Sequence, residues 1–277
     1  MKISKISLII AIVTLHNSLL GWQPDFLIIG AQKCGSTSLY NYVTKHPDIL
    51  PAKAKELHFF NNYRGKNNFN KGISWYKKQF PAKQKNKLIG EATPEYLFFP
   101  HVPERVYSLF PSIKIIIILR NPTKRAISYF HHNKKRKMEP LDLEQALTAE
   151  TERLQDEQEK IAQDPNYYSY NVERYSYKKR GLYLEQIQRW LEYFPKEQIL
   201  ILKSEELFAN PSKTLEKVYT FLNVENIPLK EYPQYNQSTY TAPIDPIIIK
   251  QLNDYFAPYN QQLSLFLKEE FDLTIEW

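Results

Sequence analysis

Residues 24–40 read PDFLIIGAQKCGSTSLY, and this stretch decides the fold. The apolar run Phe26–Gly30 ends on glycine and has no polar alternation, so it reads as a strand buried on both faces. Ala31-Gln32-Lys33-Cys34-Gly35 follows as a glycine-bounded turn. Ser36-Thr37-Ser38 then places hydroxyls ahead of Leu39, Tyr40, Tyr42 and Val43, as at the start of a helix. Strand, turn and helix start together form an anion cradle, because free turn amides and the positive end of the helix dipole point to one place.

The frame Gly30-x-x-x-x-Gly35 has the glycine spacing of a P-loop, but Ser36 and Thr37 follow the second glycine and the lysine sits inside the turn as Lys33. That arrangement sets a cation over a bound group and leaves hydroxyls at the helix start. An ordinary strand–helix turn with an incidental lysine is the competing reading of this stretch alone.

Downstream, Lys53, Lys55, Glu56 and His58 precede Phe59 and Phe60. Glu56 reads either as an acid facing a reacting centre, with His58 beside it, or as a surface acid balancing the lysines. A second short strand is expected within Lys87–Pro94, where a structural role is favoured for Glu91. Ile113–Leu119 is apolar on both faces and reads as a central strand of a parallel sheet. Pro122 marks the next helix start. Arg120 therefore lies at the C-terminal edge of the sheet, where open α/β sheets bind ligands. Ser128, two turns on, can join the Arg120 fork as a phosphate grip. A P-loop kinase or ATPase needs an acid at this strand end for Mg²⁺; arginine there argues against nucleoside-triphosphate chemistry.

Elsewhere the sequence sets scaffolding. His46–Pro51 reads as a proline-rich connector, and His131–Lys137 (HHNKKRK) as the basic end of a helix. A charged, solvent-facing helix is expected over Leu141–Ile161, and a loop crowded with tyrosines over 167–177. An amphipathic helix is expected over Gly181–Phe194, a strand over Gln198–Lys203, and helices from Asn210 to Leu222 and from Pro246 toward Leu267. At 277 residues, with 43% hydrophobic and 24% charged residues, the chain suits one large α/β domain. Its single cysteine, Cys34, excludes an intrachain disulfide and a cysteine-rich metal site. The net charge of +7 suits an anionic ligand or simply a lysine-rich surface. Residues 1–22 combine Lys2 and Lys5 with a short apolar run and read as an appended signal, weak anchor or helix, through which membrane contact is open. Residues 23–277 form the folded domain.

Taken together, the pattern resembles the nucleotide-dependent sulfotransferases, above all the heparan sulfate branch in a disulfide-free, bacterial-like form. The resemblance covers residues 24–277. Gly30–Ser38 matches a 5′-phosphosulfate loop, Lys55–Phe60 a base segment and Arg120–Ser128 a 3′-phosphate site, and Arg180–Tyr183 with Phe194-Pro195 also fits. It implies a P-loop-like three-layer α/β/α fold with a central, mainly parallel sheet. It further implies 3′-phosphoadenosine 5′-phosphosulfate (PAPS) as donor, a carbohydrate or other small hydroxyl or amine acceptor, no nucleic acid and no metal. By the same resemblance Lys33 stabilises the departing bridging oxygen. Lys33, Cys34, Gly35, Ser36, Thr37 and Ser38 hold the 5′-phosphate, Arg120 and Ser128 the 3′-phosphate, Glu56 takes the acceptor's proton, and His58 supports it. Ala92 stands where that branch has lysine, and Gln237–Tyr240 where it has a cationic loop between cysteines. The alternatives are a nucleotide- or polyanion-binding module without catalysis and a P-loop kinase.

Overall fold

The computed structural model describes residues 22–235 and 243–277. Five strands form one sheet: β1 Phe26–Gly30, β2 Ile49–Pro51, β3 Leu88–Ala92, β4 Lys114–Leu119 and β5 Ile199–Lys203. Their spatial order is β2-β3-β1-β4-β5, and every pairing is parallel. The expected layered α/β fold is thus found, with the sheet wholly parallel. Its two most apolar strands are central for a physical reason. Strands buried on both faces need side chains that lose nothing by leaving water, and Phe26–Gly30 and Ile115–Leu119 are fully buried.

Helices cover the sheet. In chain order they are α1 Ser36–Val43, α2 Gly72–Lys77, α3 Val102–Leu109, α4 Pro122–Lys135, α5 Leu143–Arg153, α6 Glu157–Gln163, α7 Tyr170–Tyr175, α8 Tyr183–Leu191, α9 Ser204–Ala209, α10 Pro211–Leu222 and α11 Pro246–Phe271. The main core joins the sheet to Leu39, Tyr42, Val106, Trp190, Leu215 and their neighbours. A second cluster packs Ala126, Tyr129 and Phe130 of α4 against Ala146 and Leu147 of α5 and Leu252 and Phe256 of α11. None of the helices among the described residues is long and apolar enough to cross a membrane.

Several expectations change. Ile49–Pro51, expected within a connector, is an edge strand; Pro51 is tolerated there because an edge position leaves no ladder bond for its missing N–H. The charged segment 141–161 is two helices, broken where Asp156 takes φ 59°. It is also not merely solvent-facing. Ala146, Leu147 and Glu150 are buried, and the Glu150 carboxylate accepts the Lys178 and Lys179 amides at 2.7 and 2.9 Å. The basic helix ends at Lys135, since Lys137 has φ 57°. Within the tyrosine-rich stretch, residues 170–175 are helical. The last helix, expected toward Leu267, runs on to Phe271 through Pro258. Residues 1–21 and Gln237–Tyr240 lie outside the described residues.

One glycine constrains the sheet. Gly90 of β3 pairs with Phe26, and a Cβ there would lie 2.5 Å from the Phe26 ring. Neither side can yield inside the core, so Gly90→Ala is expected to cost about 1–3 kcal/mol, the usual penalty for overpacking. Urea denaturation would register this as a lower midpoint at unchanged slope.

Candidate active site

Three loops meet at the C-terminal edge of the sheet, and each leaves a strand. From β1 comes the Ala31–Gly35 turn, from β4 comes Arg120, and the Glu56 segment is tied to β3. In order β2-β3-β1-β4-β5, chain connections diverge to opposite sides between β1 and β4, the position at which such sheets open a binding crevice. The turn is anchored there: the Ala31 amide donates to the Ile118 carbonyl at 2.8 Å, and Arg120 Nη1 donates to the Lys33 carbonyl at 3.2 Å. The Arg120 carbonyl in turn accepts from the Tyr183 hydroxyl at 2.9 Å.

Helix α1 starts at Ser36 from Gly35, which sits at φ 96° and supplies no side-chain cap. Its first intrahelical bond runs from the Leu39 amide to the Gly35 carbonyl at 3.0 Å. The amides of Ser36, Thr37 and Ser38 therefore precede the helical ladder and have no helical acceptor. Side chains in this stretch divide in two. Ser38 is fully buried, its hydroxyl accepting the Tyr235 amide at 3.3 Å. Cys34 is buried with its thiol 3.6 Å from the Tyr183 hydroxyl, and burial pushes its pKa up to about 11. Both can therefore meet a ligand through the backbone alone, whereas Lys33 and Thr37 are part-exposed.

Lys33 is the cationic centre. Burial, reinforced by repulsion from Arg120 and Arg136, lowers its pKa to about 8, with Glu56 opposing. Its Nζ lies 3.4 Å from His132 Nδ1. Burial, with Lys33 and Arg136 adding to it, drops the His132 pKa to about 4, so the neutral ring accepts from the ammonium. These cations repel one another in the crevice, and a multiply charged anion at the uncapped helix start would relieve that repulsion. Ser128 is buried on α4, one turn before His132 on the same helix face.

Glu56 faces this centre closely enough to act on both Lys33 and His132. Its segment is fastened to β3, the Glu56 amide donating to the Ala92 carbonyl at 3.0 Å. The carboxylate is 40% exposed, lying 2.7 Å from Lys55 Nζ and 3.6 Å from His58 Nε2. Burial alone would raise its pKa, but His58 and Lys55 outweigh that and hold it near 2. Lys33, Glu56 and His58 all have left-handed backbones, with φ of 70°, 65° and 48°. Each costs roughly 1–2 kcal/mol for a residue with a Cβ, and such strain gathers where geometry serves a site. Glu91, by contrast, is buried and satisfied by Thr93, Tyr76 and Tyr96 hydroxyls at 2.7, 2.9 and 3.0 Å, a structural acid as expected.

The crevice thus gathers Lys33, the 36–38 amides, Arg120, Glu56 and His58, with Ser128 on the helix that follows Arg120. Sequence reasoning missed His132 and Glu95. His132 had a faint signal, one turn beyond Ser128 within the basic run; Glu95 had none, since its partners lie far away in the chain.

The sulfotransferase domain model matches residues 23–237. The chain is 31% identical over 274 residues to heparan sulfate glucosamine 3-O-sulfotransferase 5 of Homo sapiens, across 90% of this chain and 73% of that protein. It is 34% identical over 226 residues to bifunctional heparan sulfate N-deacetylase/N-sulfotransferase 3 of Homo sapiens, across 78% of this chain but 23% of that protein. Among solved structures, a sulfotransferase from Alicyclobacillus acidocaldarius superposes with a TM-score of 0.72 at 29% identity, covering 89% of this chain and 96% of that one.

Proposed function

This chain belongs to the sulfotransferase domain family, a family of enzymes that draw on PAPS, and from that premise we propose that it transfers a sulfuryl group to a hydroxyl or amine of a carbohydrate, with Glu56 as general base. The observation that carries the reading is the charge layout of the crevice. Lys33, Arg120 and Arg136 are cations that raise one another's energy, beside three helix amides with no acceptor among the described residues. An anionic nucleotide answers that demand. The Gly35–Ser38 backbone would hold its 5′-phosphate, and Arg120 with the Ser128 hydroxyl its 3′-phosphate.

When bound, the donor supplies an electron-poor sulfuryl group on a phosphate leaving group. The protein's contribution is then position and charge. Lys33 neutralises negative charge building on the leaving oxygen. Glu56, ionised at neutral pH, accepts the acceptor's proton. The similarity to heparan sulfate sulfotransferases supports a glucosamine-containing glycan as acceptor. Both alternative readings give way: a binding module because the family is one of enzymes, a kinase because Arg120 follows β4 where an acid would be needed for Mg²⁺.

Calorimetry of 3′-phosphoadenosine 5′-phosphate (PAP) against ATP–Mg²⁺ tests the donor site. PAP should bind and ATP should not. Arg120→Ala should weaken PAP about 10- to 100-fold, the worth of a hydrogen bond to a charged group. Equal binding by the variant would remove Arg120 from the 3′-phosphate. Transfer of labelled sulfate from PAPS to a heparan-type glucosamine oligosaccharide tests the acceptor class.

A further inference from the structure

Glu95 is a buried carboxylate in the turn after β3, 4% exposed, that has no part in donor binding or in proton transfer as proposed for Glu56. Its Oε1 accepts from Gln32 Nε2 of the donor turn at 2.9 Å. Its Oε2 accepts from Asn61 Nδ2 at 3.3 Å and lies 4.0 Å from His58 Nδ1. Asn61 Oδ1 is 3.2 Å from the same Nδ1. Both Glu95 oxygens thus accept, as an ionised carboxylate's do, and both neighbours of His58 Nδ1 are acceptors. Nε2 also faces an acceptor, the Glu56 carboxylate, but at 3.6 Å against 3.2 Å for Asn61 at Nδ1, so in the neutral ring the closer contact places the proton on Nδ1 and leaves Nε2 toward Glu56. The imidazole is clamped in plane by the Tyr63 ring, stacked at 3.6 Å and 2°.

We propose that Glu95 is a positioning residue for the base: it holds His58 with the proton on Nδ1 and Nε2 open toward Glu56, so that the acceptor's proton passes through Glu56 to His58, and through Gln32 it ties this pair to the donor turn. The inference rests on the sulfotransferase reading of the site. In the step, the acceptor oxygen or nitrogen bonds to sulfur, and the bridging S–O bond breaks with its electron pair leaving on the phosphate oxygen. The acceptor's proton moves to the Glu56 carboxylate and on to Nε2. The resulting imidazolium lies between two carboxylates and returns its proton to solvent through exposed Glu56.

Charges around the relay agree with this role. Burial works against a charged His58, yet Glu56, Glu95 and Asn61 raise its pKa above the usual imidazole range. Glu95 itself is raised by burial, against Arg180 from the 179–181 turn and His58, with Glu173 of α7 and Glu56 adding to the rise. Arg174 of α7 and Tyr129 of α4 also feel its charge.

The test is NMR titration of the histidines in the full-length protein, with His58 assigned by its loss in His58→Gln. In the wild type His58 should be protonated on Nδ1 when neutral. In Glu95→Gln its titration midpoint should fall by about one unit, as expected for removing a nearby opposite charge. Glu95→Asp should restore most of that shift. In transfer from PAPS to a heparan-type glucosamine oligosaccharide, Glu95→Gln should lower kcat about 10-fold with KM for PAPS unchanged. The acid limb of kcat/KM should move to lower pH, because neutral His58 is the active form. An unmoved midpoint and acid limb in Glu95→Gln would overturn the inference, even if activity fell. Failure of the sulfotransferase reading would look different: the wild type would move no sulfate, while His58 still responded to Glu95.

Discussion

Lys33→Ala is expected to lower sulfuryl-transfer turnover about 100-fold or more, the scale on which a preorganised charge stabiliser acts. A factor of 100 is about 2.7 kcal/mol of barrier, which one ammonium supplies in a partly dehydrated crevice but not in open water. The structure provides that setting. Lys33 is held at φ 70° in the turn, and its carbonyl is gripped by Arg120. The same burial that strengthens the charge makes it labile, since its pKa falls to about 8, from burial first and then Arg120 and Arg136. The ammonium is present below that value and lost as pH rises through it. In the free enzyme kcat/KM should therefore fall above about pH 8, and that limb should be absent from the residual activity of Lys33→Ala. Initial rates with labelled PAPS from pH 6 to 9.5 check both. Wild-type turnover in the variant would remove Lys33 from the mechanism.

Glu56→Gln should also reduce turnover about 100-fold or more while leaving PAP affinity nearly intact. The amide keeps the shape of the carboxylate but cannot take a proton. Donor contacts proposed for the Gly35–Ser38 backbone, Arg120 and Ser128 do not involve it. Held near a pKa of 2 by His58 and Lys55, Glu56 is always ionised above pH 4. The acid limb of the rate profile therefore cannot be its own titration and should belong to a neighbour. Calorimetry with PAP and single-turnover kinetics separate binding from chemistry. Loss of PAP binding together with turnover would make Glu56 a structural support of the donor site.

How far the site was legible follows from how local its signals are. Phe26–Val43 could be read directly, because buried strand, glycine turn and hydroxyl-led helix start each depend on neighbours within a few residues. Arg120 was readable for the same reason, between an unbroken apolar strand and Pro122 at a helix start. Lys33–His132 and Gln32–Glu95 are contacts across 99 and 63 residues, and no local periodicity records them. Pro51 misled because an edge strand tolerates what an interior one forbids, and edge position is a property of the sheet. Segment 141–161 misled in another way. Its charge suggested solvent, while Glu150 is buried to cap the amides of Lys178 and Lys179.

The amino-acid sequence by itself determined the layered α/β fold, the glycine-bounded turn and helix start at the end of β1 and the identity of the ionisable groups at hand, since these rest on hydrophobic pattern, glycine placement and residue chemistry. Tertiary structure alone decided which of those groups face one another. It turned the Cys34 and Ser38 side chains inward, set neutral His132 against Lys33 and placed the Glu95 carboxylate behind His58. The reason is physical: pKa values, tautomers and ion pairing depend on distance and burial, and both are set by the packing of segments far apart in the chain.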